Sequence, residues 1–317
     1  MADRLDLRAG PDEAGARLDV AVARLAPGLS RARVQQLVAG GRVLVDGRPS
    51  KPAARLRGSE HIQVEVPDAE PSGLVAQDLP LAVLHEDADL LVLDKRAGMV
   101  VHPARGTPHS TVVNALLHRL GAGGGGQRLG LAHRLDKETS GCLVVAKTEA
   151  ALAALQAQFK GRSVEKTYLA LCHGRLADEG TLDTFYGRHP RDRTRHTGRV
   201  PAGRRAQTSW RVAERFGDVA TLAEVTLHTG RTHQIRVHLS EAGHPLLADA
   251  TYGGTRREAR LAADHPARRA AGAMGRQALH AWRLAFDHPR SGRRVRYEAP
   301  VPADLVAALQ ILRRART

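Results

Sequence analysis

Asp136 sits in the middle of the polar nonapeptide His133–Gly141 (HRLDKETSG), with Arg134, Lys137 and His133 within three residues of it. Cationic neighbours would hold such a carboxylate ionised. An anionic carboxylate in a loop can act as a base or a nucleophile. For an arbitrary loop of this composition a solvated turn with an incidental ion pair is the commoner outcome, so the setting decides. Here Leu129–Ala132 precedes the loop and Cys142-Leu143-Val144-Val145-Ala146 follows it. The second run is short, β-branched and bounded by turn residues, as a buried strand should be. The nonapeptide is therefore a loop delivered onto the end of a core strand, where chemistry is commonly placed.

The elements around it can be read in the same way. Val83-Leu84 and Leu90–Lys95 read as strands joined at Glu86–Asp89, and Thr111–Leu120 as a helix. Gly123–Gly126 has no Gly-Lys-Ser/Thr behind it, so it reads as a loop and not a phosphate cradle. Leu152, Leu155 and Phe159 mark an amphipathic helix, and Lys166–Leu171 alternates as a strand with Tyr168 near its start. A core tyrosine with a satisfied hydroxyl is the plain reading of that position. Val219–Leu227 is a strand, and His228–Thr232 is the turn out of it. The next helix carries Ile235, Leu239 and Ala242 on one face and ends at Gly243. His233 and His238 miss the i, i+4 spacing of a helical zinc site, so no metal is expected. His102, before Pro103, reads as structural.

A smaller module opens the chain. Leu18, Val22 and Leu25 have helical spacing, with Pro27-Gly28 as the stop. Ser30 stands at the N-cap of a second helix that ends at Gly40-Gly41. Asp46-Gly47 marks a hairpin turn, and Ile62, Val64 and Val66 alternate as a strand. Seven basic residues lie between Ser30 and Arg57, Arg31, Arg33, Arg42 and Arg48 among them, against the single acid Asp46. They make either a solvated face, a protein-docking surface or a phosphate-binding one, since guanidinium forks suit phosphate. Pro67–Pro80 reads as a linker.

The chain has 317 residues, enough for two domains, and 48 Lys+Arg against 33 Asp+Glu, a formal charge of +15. Such a balance attracts polyanions, nucleic acid first among them. No apolar run approaches a membrane span, and acids at Asp3 and Asp6 argue against a targeting peptide. Cys142 and Cys172 lie in apolar runs, so buried reduced thiols and a cytoplasmic location are expected. Nine arginines between Arg188 and Arg215 read as an arm or loop on a phosphate backbone, or a solvated excursion.

The string HRLDKETSG resembles the signature loop of the RluA family of RNA pseudouridine synthases. RAGMVVHP from Arg96, GRTHQIRVHLSEAGHPLLAD from Gly230 and the segment from Ala278 to Leu284 resemble further family motifs. Helix–helix–hairpin order with Ser-Arg-x-Arg at the second helix resembles the S4 RNA-binding domain. The resemblance implies an α+β chain: an S4 domain over 15–70, a linker over 71–80, and a catalytic domain over 81–317. The latter would be built on a mixed, mostly antiparallel sheet with the cleft across it. It further implies Asp136 as the catalytic group, Arg231 as its ionic partner and Tyr168 as the ring that stacks on the base. Arg134 would fill the space the flipped uridine leaves, Leu279 would close the pocket floor, and Arg31, Arg33, Arg42 and Arg48 would hold RNA. The reaction breaks N1–C1′, turns the base and rejoins it through C5, without redox change, so no cofactor is expected. Asp136 would be an anion whether it attacks the base, attacks C1′ or removes the C2′ proton. The partner would be 23S ribosomal RNA of the large subunit, as in the RluD-type subgroup, met by a monomer. A transfer-RNA synthase of the same family and a noncatalytic ribosome-assembly factor are the alternatives. A glycosidase would need a second acid, and Glu138 has no supporting motif.

Overall fold

The computed structural model describes residues 3–26, 28–66, 74–103, 107–121 and 130–315. The chain divides into two compact units, 1–73 and 74–317. The expected stop at Pro27, residues 67–73 of the expected linker and the Gly123–Gly126 loop lie outside the described residues.

The first unit contains β1 (Asp3–Arg8), α1 (Leu18–Leu25), α2 (Arg31–Ala39), β2 (Val43–Val45), β3 (Arg48–Pro49) and β4 (His61–Val66). Its antiparallel sheet has the order β1-β4-β2-β3. Ser30 caps α2 by accepting from the Arg33 amide. Asp46 and Gly47 both take positive φ, 49° and 75°, as a tight hairpin between twisted strands requires. Leu18, Val22, Val34, Leu37, Ile62 and Val64 close a core between helices and sheet. β1 pairs along β4 from Asp3 to Arg8, so this unit starts before residue 15, where its beginning was expected.

The second unit contains β5 (Ala82–Glu86), β6 (Leu90–Lys95), α3 (Val112–Leu120), β7 (Gly130–Leu131), β8 (Ser140–Ala146), α4 (Glu149–Gly161) and β9 (Glu165–His173). It continues with β10 (Glu179–Arg188), β11 (His196–Thr197), β12 (Arg204–Phe216), β13 (Ala220–Leu227), α5 (Gln234–Glu241) and α6 (Gly254–Glu258). It ends with α7 (Pro266–Met274), β14 (Leu279–Asp287), β15 (Arg294–Glu298) and α8 (Ala303–Arg314). The sheet runs β11-β10-β12-β13-β9-β14-β8-β6-β5, with β15 on β14 and β7 on β8. Every pairing is antiparallel except β8 with β14. Two corrections follow. Residues 75–77 are tied to α3, the Asn114 side chain donating to Val75 O at 2.7 Å, so residues 74–80, expected in a linker, belong to this unit. The arginine-rich 188–215 stretch is largely sheet, because its second half is β12.

β8 is buried along its whole length. Leu143 and Val145 face α3 and α5, whereas Cys142 and Val144 face α4. A strand covered on both sides reads as the continuous apolar run seen in the sequence. Both cysteines are buried and free. Gly141 has φ +111°, and a Cβ there would collide with the Ala281 carbonyl. The last residue of the nonapeptide is thus glycine because β14 runs alongside it in parallel.

Candidate active site

The nonapeptide enters β8 from a cleft of about 470 Å³ lined by Arg134, Asp136, Tyr168, Arg231 and Leu279, with His233 beside them. All five residues expected of the synthase site therefore meet in one place. Among the described residues Asp136 is the only carboxylate in the lining, and its side chain is 19 % exposed.

Its ionic partner is Arg236, not Arg231. Arg236 Nη1 lies 3.3 Å from Asp136 Oδ2, while Nε and Nη2 hold both oxygens of Asp249 at 2.8 and 2.9 Å. Asp249 is wholly buried and also accepts the Thr251 and Tyr252 amides. Arg231 precedes the helix, and its Nε donates to Arg205 O at 3.3 Å. The reason lies between them: His233 takes φ 59°, which turns the chain so that α5 starts at Gln234 and presents Arg236 inward. Helical phase could not have found this, because Gln234 to Leu239 are all buried.

His233 supports the arrangement from the side, its Nε2 3.9 Å from Asp136 and its Nδ1 2.9 Å from the Tyr252 hydroxyl. Burial pushes its pKa down, against the pull of Asp136. Tyr168 is buried, and its hydroxyl makes no hydrogen bond among the described residues. Burial, helped by Asp136, drives its phenol pKa upward, so the ring enters the cleft neutral. A core tyrosine with a satisfied hydroxyl is not what the fold contains.

Several residues that fix the loop were not foreseen. The Lys95 ammonium donates to Arg96 O, Met99 O and Lys137 O at 2.8, 2.9 and 3.0 Å. Burial pushes its pKa down to about 8. From the other side Arg276 donates to Glu138 O at 2.9 Å and Ser140 Oγ at 3.2 Å, and it is anchored on Asp304 of α8. Asp136 thus rides on a loop held at both shoulders by buried cations.

His133 does not join the cationic company of Asp136. Its Nε2 accepts the Val144 amide at 3.0 Å and its ring stacks on Phe159. Burial pushes its pKa down to about 3. The imidazole is neutral in the fold and charged below about pH 6.5 in the unfolded chain. Its contribution is therefore complete above that pH and is lost as pH falls toward 3. We expect unfolding free energy to fall on acidification through this window. His133→Gln, which keeps an acceptor, should reduce the slope by up to about 1.4 kcal/mol per pH unit. Urea titrations at several pH values check this; an unaltered slope would mean the imidazole titrates as in water.

Among the described residues one group could hold a metal, Asp87, Asp89 and His288. It lies at the far end of β8 from Asp136 and is already balanced, with His85 and His288 on Asp87 and Arg290 on Asp89. His102 is exposed and faces its own proline carbonyl.

In the first unit, Arg31 is bound to Asp19 at 3.0 Å and Arg42 to Glu65 at 2.6 Å. Neither is an unengaged cation. Arg33 and Arg48 have no side-chain partner among the described residues.

An α+β sheet with a cleft holding one buried-paired carboxylate, an unbonded tyrosine and excess arginine defines an enzyme for an anionic, ring-bearing substrate. The sequence pattern of the RNA pseudouridylate synthases matches residues 89–241, and that of the S4 domain matches residues 16–62. A ribosomal large subunit pseudouridine synthase D of Xanthomonas campestris is 45% identical over 304 residues, 96% of this chain and 91% of that protein. The protein of the same name from Escherichia coli K12 is 38% identical over 319 residues, 99% and 96% of the two chains. Human RNA Pseudouridylate Synthase Domain Containing 1 superposes with a TM-score of 0.56 at 27% identity, covering 76% of this chain and 97% of its own. The chain belongs to the RNA pseudouridine synthase family, in a form carrying an S4 domain. No helix among the described residues is long and apolar enough to cross a membrane.

Proposed function

We propose that this protein converts uridines of 23S ribosomal RNA, in the large subunit, to pseudouridine, with Asp136 as the catalytic group. The observation that carries the reading is the single carboxylate of the cleft, partly open to it and backed by the Arg236–Asp249 pair. Relatives matched over nearly their full length bear the name of large-subunit enzymes, which supports this RNA over transfer RNA.

The target uridine would leave its stack at a cost of about a few kcal/mol. Tyr168 would take the base face, Leu279 would close the floor, and Arg134, exposed at the rim, would enter the vacated space. Arg236 keeps a positive charge beside the carboxylate while the glycosidic bond breaks and re-forms. No redox change occurs, so the chemistry needs no external oxidant. Pseudouridine mapping in ribosomal RNA from a strain lacking the gene tests the reading: specific sites should revert to uridine. An unchanged map would overturn it.

The S4 unit would supply backbone affinity. With Arg31 and Arg42 tied to acids, Arg33 and Arg48 are the two of these four arginines without a side-chain partner among the described residues, and they would be the phosphate donors. Replacing both by Ala should lower the log–log salt slope of RNA binding by about 1.4 to 1.8. A fluorescence titration across salt concentrations checks this; an unchanged slope would make this face solvated surface.

A further inference from the structure

Among the described residues the basic side of the cleft has no counter-charge. Arg162, at the end of α4, and Lys166, on β9, line the cleft with Arg231. Arg162 and Lys166 make no ion pair among the described residues, nor does Arg204 at the start of β12. Arg231 has only the Arg205 carbonyl. Lys166 is buried, its ammonium 5.8 Å from the centre of the Phe159 ring. After burial, the charge of Arg162 is what lowers the Lys166 pKa. For Arg231 the causes, again after burial, are Arg204 and then Arg162. These cations therefore sit within each other's field, and Asp136 is taken by Arg236.

Arg162 adds a second, independent sign. It closes α4 in the left-handed conformation, φ 63°. Glycine or asparagine holds that position at less cost than a residue with a long side chain. Strained positions of this sort concentrate where the side chain itself is used.

We propose that Arg162, Lys166 and Arg231, which line the cleft together, form a seat for a phosphodiester of the RNA strand at its mouth. Arg231 belongs to this seat and not to the carboxylate. The ligand class follows from the donors: two guanidinium forks and an ammonium match a tetrahedral oxyanion with several acceptors. The assignment rests on the RNA-modifying reading above, because the strand that delivers a uridine to Asp136 must bring its phosphates past this rim.

Arg162→Asn tests it without endangering the fold, since asparagine suits the left-handed position. Its thermal midpoint in chloride should match or exceed that of the wild type. At matched ionic strength, inorganic phosphate should raise the wild-type midpoint, and Arg162→Asn and Arg231→Ala should each lose most of that rise. With a short oligouridylate as probe, each variant should bind roughly tenfold more weakly at low salt, the scale of one charge-assisted contact. The salt slope should fall by about 0.7. In turnover on ribosomal RNA the loss should fall on KM. A phosphate effect of wild-type size in both variants, or none in the wild type, overturns the seat. So does an unchanged salt slope on RNA. If the phosphate and slope effects hold while no RNA is isomerised, the seat stands and the uridine reading falls.

Discussion

Asp136→Asn should abolish pseudouridine formation, lowering the single-turnover rate by at least about a hundredfold, while RNA affinity stays near the wild-type value. The amide has the shape of the carboxylate but neither its charge nor its nucleophilicity. Removal of a buried ion-pair partner usually strands a charge, at about 3–5 kcal/mol. Here it does not, because Arg236 keeps both of its hydrogen bonds to Asp249. The variant should therefore fold with nearly wild-type stability, and its inactivity would report chemistry. Single-turnover assays with saturating enzyme, paired with a binding titration, make the comparison. Turnover above a hundredth of wild type would remove Asp136 from the reaction.

Arg236 should prove the more damaging position overall. Arg236→Lys offers one point charge where a fork now reaches two carboxylates, so it cannot serve Asp249 and Asp136 together. We expect a rate loss of roughly 100-fold, as for removal of one donor from a preorganised site. Arg236→Ala leaves the fully buried Asp249 without its cation and should cost about 3–5 kcal/mol of stability. Arg231→Lys should be far milder in rate. Urea unfolding of the three variants, with single-turnover rates for those that fold, separates the roles. A milder rate loss in Arg236→Lys than in Arg231→Lys would return the ion pair to Arg231.

Local signals in the chain were legible where a short span determines the outcome. Ser30 as a cap, Asp46-Gly47 as a hairpin and the loop-then-strand at Asp136 each need only neighbours within a few residues. The exchange of Arg231 for Arg236 was not legible from motif order, because it depends on the left-handed His233 and on Asp249 thirteen residues beyond. His133 was miscounted as a cation for the same reason: its state is set by the Val144 amide and by Phe159, not by adjacent charges. The basic stretch at 188–215 lacked an apolar period because its first half is mostly irregular, with only the two-residue β11, and because β12 is half-exposed.

The parallel pairing of β8 with β14 has a consequence for when the enzyme becomes competent. Ser140 meets His280 140 positions later, and Arg276 grips Glu138 and Ser140 while anchored on Asp304. During translation, a nascent chain that has emerged only to α7 holds Asp136, Arg236 and the Lys95 anchor of the loop, but lacks the Arg276 one. Contacts so distant along the chain form late, after the entropy of closing a long loop has been met. The S4 unit has its own core and faces no such wait. The growing polypeptide should therefore pass through a stage that can grasp RNA before it can modify it.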